Sequence, residues 1–205
     1  MARDRHLLQD DHGNPQSVWI VLRREVQLID AEDYLRRPPP ARPYEPAAQQ
    51  LSVPAAAIGA TLRLLQGAQN RECGLFWYGV RDHAGNGTVC HVAAPRQHMT
   101  WGNFHVAPEA LAEIVHRLPD GWKPLAQVHS HPGTRVEHSN YDDRMMSSRR
   151  SLSVVFPSYG RLNTAFPLGV GVHEWQVDYW HLLDDEQARR RVRVVNGSVT
   201  IEDRR

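Results

Sequence analysis

Residues 129–142 read His-Ser-His-Pro-Gly-Thr-Arg-Val-Glu-His-Ser-Asn-Tyr-Asp, and no other stretch restricts the fold as tightly. Two histidines one residue apart can turn both imidazoles toward one ion at a strand end or in a loop. Pro132 has no N–H to give a ladder, so the strand must stop there and leave a fixed corner. Ten residues separate His131 from Asp142, a hard anionic donor. Two histidines and one carboxylate make a three-ligand set, which leaves a fourth zinc position open. An open set of this kind suits catalysis rather than structural support.

His-Ser-His-Pro, six residues, Ser139, two residues, Asp142 resembles the signature of the JAMM (MPN-plus, or JAB) zinc metallopeptidases. Upstream, Glu72-Cys73-Gly74-Leu75, closing at Gly79, is similar to the glutamate strand of that family. The resemblance covers roughly residues 50–183. It implies that His129, His131 and Asp142 bind Zn2+, that Glu72 is the general acid/base on the attacking water, and that Ser139 helps hold the oxyanion. Its spacing selects Asp142 over Asp143, which is expected to cap or salt-link the following segment. The chemistry is consistent with these roles: amide hydrolysis needs a nucleophile, a proton carrier and an oxyanion donor.

The resemblance also implies a substrate, the isopeptide or peptide bond after the C-terminal tail of a ubiquitin-like protein. Either deconjugation or precursor processing would fit. Bacterial members of this type travel with ubiquitin-like proteins and their activating and conjugating enzymes, some of them in antiviral operons. An extended tail needs a free strand edge for affinity. Residues 99–106 are expected to supply it, with Trp101, Asn103 and Phe104 as substrate-binding residues. Two rivals stand beside this reading: a peptidase that processes a sulfur-carrier protein, and a non-enzymatic MPN scaffold. The filled positions at Glu72, His129, His131, Ser139 and Asp142 weigh against the scaffold.

Composition narrows the partners. A net charge of +1 gives no reason to expect nucleic acid, and the Arg-rich stretches read as solvated faces. No apolar run approaches the roughly 18 residues of a membrane span. The N-terminus shows no signal-peptide pattern, and two cysteines, Cys73 and Cys90, suggest buried thiols in a reducing compartment. The expected location is cytoplasmic.

Periodicity and turn residues outline an α/β fold: a mixed β-sheet flanked by helices, as in the cytidine-deaminase-like core that the resemblance implies. An N-terminal extension, residues 1–46, should hold a strand at 17–23, a partner at 26–29, a short helix at 30–35 and a polyproline connector. The catalytic domain should span 47–183. Its first helix, at 55–65, should bury Ile58, Leu62 and Leu65, and its second, at 108–116, should face the sheet with Leu111, Ile114 and Val115. Glu72 should lie within a strand at 72–80. Strands at 169–172 and 175–182 should turn around His173-Glu174. A tail, 184–205, should form a helix and then a C-terminal hairpin about Asn196-Gly197.

Overall fold

In the computed structural model, residues 35–41 and 44–205 are described in full. Of the first 34 residues, the backbone of three strands is described: Leu7–Gln9 (β1), Pro15–Leu22 (β2) and Glu25–Asp30 (β3). The helix expected at 30–35 falls mostly outside the described residues. The chain divides into two compact units, Met1–Pro38 with His138–Met145, and Pro39–Glu137 with Met146–Arg205. In the first, β1, β2 and β3 form a three-stranded antiparallel sheet in chain order.

The larger unit opens with Leu51–Pro54 (β4) and the helix Ala55–Gly67 (α1). Pro54 stops the strand and starts the helix, where a missing N–H costs nothing. The helix buries Ala57, Ala60, Thr61, Leu64 and Leu65. The buried stripe is therefore rotated from the expected one, and Ile58 and Leu62 flank it, partly buried. Small side chains let the helix approach the sheet closely, and Thr61 accepts a hydrogen bond from the buried Trp77 indole at 2.9 Å. Two strands follow, Gly74–Arg81 (β5) and Gly87–Ala94 (β6), then the two-residue strands His98–Met99 (β7) and Phe104–His105 (β8), paired as a small hairpin. Helix Pro108–Val115 (α2) buries Ala110 and Ile114, whereas Val115 is half exposed.

Strand Lys123–Ser130 (β9) comes next, then helix Asn140–Met145 (α3), which belongs to the first unit. The fully buried strand Leu152–Phe156 (β10) precedes Gly171–Gln176 (β11), Tyr179–Leu182 (β12), helix Asp185–Arg191 (α4), Val192–Val195 (β13) and Thr200–Asp203 (β14). A nine-stranded mixed sheet runs β12-β11-β10-β9-β5-β6-β4-β13, with β14 also on β6. Alternation along β5 serves both faces: Leu75 and Trp77 join the cluster under α1, and Phe76 and Tyr78 join the one under α2. The mixed sheet with flanking helices is the fold class that the patterning indicates.

Three local expectations fail. The β11–β12 turn lies at Val177 and Asp178, both with positive φ (53° and 57°), rather than at His173-Glu174. That geometry suits a tight hairpin, yet a valine there carries no turn signal. Glu72 lies two residues before β5, not inside a strand. The C-terminal hairpin is absent, because β13 pairs in parallel with β4 and β14 in parallel with β6. Strand β4 covers β6 only at Gly87 and Thr88, which leaves 91–94 open for β14. Each strand gains a sheet neighbour that a two-stranded ribbon would not provide.

Candidate metal centre

Strand β9 runs antiparallel to β5 and parallel to β10, with Gly74 opposite His129 and Phe156 opposite Ser130. The His-Ser-His run thus leaves the sheet at its carboxyl end, where β10 also ends. Crevices at such ends are common ligand sites in α/β sheets. His131 is anchored there by its amide, which donates to the Phe156 carbonyl at 2.9 Å. The β5–β9 pairing ends at Gly74 and His129, two residues short of Glu72 on one strand and of His131 on the other.

His129, His131 and Asp142 are all buried, and one ligand atom from each lies within 4.8 Å of the others. The Nε2 atoms of His129 and His131 stand 3.1 Å apart. Two nitrogens at zinc-ligand distance from one tetrahedral ion stand about 3.3 Å apart, so the pair is set for one metal. His131 Nδ1 lies 3.0 Å from the Arg135 carbonyl. A carbonyl only accepts, so Nδ1 carries the proton and Nε2 keeps its lone pair for a metal. Asp142 Oδ2 accepts from the Ser139 amide and from the Ser139 hydroxyl, each at 2.7 Å. The donor set therefore fits a zinc ion.

Glu72 is buried, and its surroundings are fixed through the backbone. Its amide donates to the Thr100 carbonyl at 2.8 Å. The next amide, of Cys73, donates to Ser130 Oγ at 3.4 Å. Gly74 is bracketed by the Gln97 side chain, which accepts from its N–H at 2.7 Å and donates to its carbonyl at 2.8 Å. Position 74 must be glycine, since a Cβ there would stand 2.1 Å from the Phe104 ring. Burial pushes the Cys73 thiol pKa up against the opposing Arg205, which keeps it a neutral packing group beside Glu72.

The remaining site residues divide. Trp101 is 62% exposed at the tip between β7 and β8. Asn103 and Phe104 are buried. The Asn103 carbonyl closes the tip by accepting from the Thr100 amide, and Phe104 packs its ring 5.5 Å from that of His129. Asp143 Oδ1 lies 3.0 Å from Nδ1 of His138, which precedes it rather than lying in the following segment. Gln97 and Tyr159 escaped the sequence reading because they act on backbone groups, which leave no spacing pattern. Tyr159 donates its amide to the His131 carbonyl at 2.8 Å and its hydroxyl to the Trp101 carbonyl at 2.7 Å. Its phenol pKa is raised by burial and then by the charge of Glu72, with Arg161 opposing. Among the described residues no helix is long and apolar enough to cross a membrane.

Among curated proteins, none matches the chain. In solved structures, the chain is similar to a protein from Desulfitobacterium hafniense, known from a solution structure, at 18% identity and a TM-score of 0.54. That match covers 73% of this chain and 95% of the other. A JAB1/MPN domain protein from Archaeoglobus fulgidus aligns at 12% identity and a TM-score of 0.42, over 71% of this chain and 98% of its own. A family profile described as prokaryotic homologs of the JAB domain matches residues 54–169, more than half of the chain. The chain belongs to this prokaryotic JAB-domain family.

Proposed function

We propose that the chain is a zinc-dependent peptidase that cleaves the isopeptide or peptide bond after the C-terminal tail of a ubiquitin-like protein. The observation that carries this reading is the buried His129, His131 and Asp142 group, and a buried Glu72 two residues before the Gly74–His129 pair supports it. Zinc bound there would polarise the scissile carbonyl and lower the pKa of a water from about 15.7 toward about 7. Glu72 takes the proton of the attacking water and returns it to the departing amine. His131, with its tautomer fixed by the Arg135 carbonyl, stays neutral toward the metal. The Ser139 amide keeps Asp142 oriented, and its single hydroxyl proton turns from Asp142 to the developing oxyanion as that charge forms.

The tail enters extended and Gly-ended, beside the β7–β8 hairpin. Trp101 is the exposed aromatic anchor there, whereas the buried Asn103 and Phe104 shape the hairpin from beneath. The test is to incubate the zinc-loaded protein with a ubiquitin-like protein encoded beside its gene, both as a conjugate and as a precursor. Cleavage at the tail that stops in His129→Ala and Asp142→Ala, together with loss of bound zinc, is the expected result. Full zinc occupancy in both variants, or no cleavage of either form by the wild type, contradicts the reading.

A further inference from the structure

Strand β10 ends in a turn that is costly to build. Ser158, Tyr159 and Gly160 have φ of 49°, 55° and 83°, three successive residues in the left-handed region. For each non-glycine residue that conformation is disfavoured, because it brings Cβ close to the following carbonyl oxygen. Backbone bonds hold the turn in place: Ser158 donates to the Gly133 carbonyl, Tyr159 to that of His131, and Gly160 to that of Pro157. The Gln66 side chain donates to the Gly160 carbonyl at 2.8 Å. A loop that only had to change direction would place glycine or asparagine at positions 158 and 159. Here a tyrosine is kept in the left-handed region, its ring is buried, and its hydroxyl ends on the carbonyl of the exposed Trp101.

The bonds form a connected path. The His131 carbonyl is tied to the Tyr159 amide, the Tyr159 hydroxyl to the Trp101 carbonyl, and the neighbouring Thr100 carbonyl to the Glu72 amide. The hairpin tip is thereby joined to the strand end that bears the ligands on one side and to the acid/base residue on the other. We infer that Tyr159 is a positioning residue: through its hydroxyl it holds the 100–103 tip at a fixed place relative to His131, so that Trp101 is presented to the substrate tail. This rests on the proposed function only for what Trp101 grips. Glu72 keeps further holds through Cys73 and Gly74, so loss of the tie should be felt at the tip and in substrate binding more than in the chemical step.

Tyr159→Phe removes one hydroxyl and leaves the turn and ring in place. In the zinc-loaded full chain, amide hydrogen exchange across 98–106 should speed up about 5–10-fold, the scale of one lost hydrogen bond. Exchange in β9 and the zinc content should not change. KM for a tailed substrate should rise by a similar factor with kcat kept within about twofold. In Trp101→Ala, which retains the backbone carbonyl, adding Tyr159→Phe should raise KM no further. Unchanged exchange at the tip overturns the tie, and KM effects that simply multiply overturn the presentation of Trp101. A wild-type chain that binds no tail overturns the function proposed above, and the exchange measurement then decides the tie alone.

Discussion

Ser139 directs both its amide and its hydroxyl at Asp142 Oδ2, and this makes it more than the oxyanion donor its place in the motif implies. A group that orients a metal ligand typically contributes 10–100-fold in metal affinity. Ser139→Ala should therefore weaken zinc by about that factor, read by chelator competition, and at saturating zinc should still lower kcat by about 10²–10³. Unchanged zinc affinity would remove the orienting role, and native kcat at saturating zinc would remove the oxyanion role. At this scale the candidate ligand group was legible because a metal demands side chains of fixed type at fixed spacing. Gln97, Thr100 and Tyr159 were not, because any of several residues could meet a backbone N–H or C=O. Asn103 and Phe104 read as substrate-binding residues on a free strand edge, yet the fold buries both.

Strand β14 shows what local patterning can and cannot give. Asn196-Gly197 reads as a hairpin turn, but the strand after it docks on β6, with Thr200 opposite His91. Parallel pairing between distant segments has no turn to announce it, so it was not legible. By contrast α1, the body of β5 and α4 were, since the forces that set them act within a few residues. The docking brings a buried histidine into play. His91 Nδ1 lies 2.7 Å from the Thr200 hydroxyl, and Nε2 lies 3.6 Å from Glu202, which also pairs with Arg117 and Arg204. Tyr78 and Trp122 close the other sides. Burial lowers the His91 pKa, with Glu202 opposing more weakly. Below its ordinary value near 6.5 the unfolded chain then takes up a proton that the folded chain resists. The contribution of this site to stability therefore falls as pH drops through about 6.5. His91→Gln should flatten the fall in thermal midpoint between pH 7.5 and 5.5, by about 2–4 °C relative to the wild type. Parallel pH profiles for the two proteins would contradict it.

In the larger unit, one sheet carries most of the candidate site. Its middle strands β5, β9 and β10 are largely buried, with one layer of apolar packing under α1 and another under α2. Their pairing brings Gly74 opposite His129, two residues from Glu72 and from His131, and their ends hold the Gln97, Thr100 and Tyr159 contacts that fix the site. The overall class was legible because alternation and buried runs reflect packing on a sheet. The strand order was not, since it depends on pairings more than a hundred residues apart, as between β13 and β4. On the proposed function, Glu72 moves the proton at a metal held by His129, His131 and Asp142. The most direct measurement is the turnover of Glu72→Gln on a modifier conjugate, at a zinc content matched to the wild type. One zinc per chain in both proteins, with turnover lowered by about 10²–10⁴ in the variant, is the expected result. Near-native turnover in zinc-loaded Glu72→Gln would contradict it.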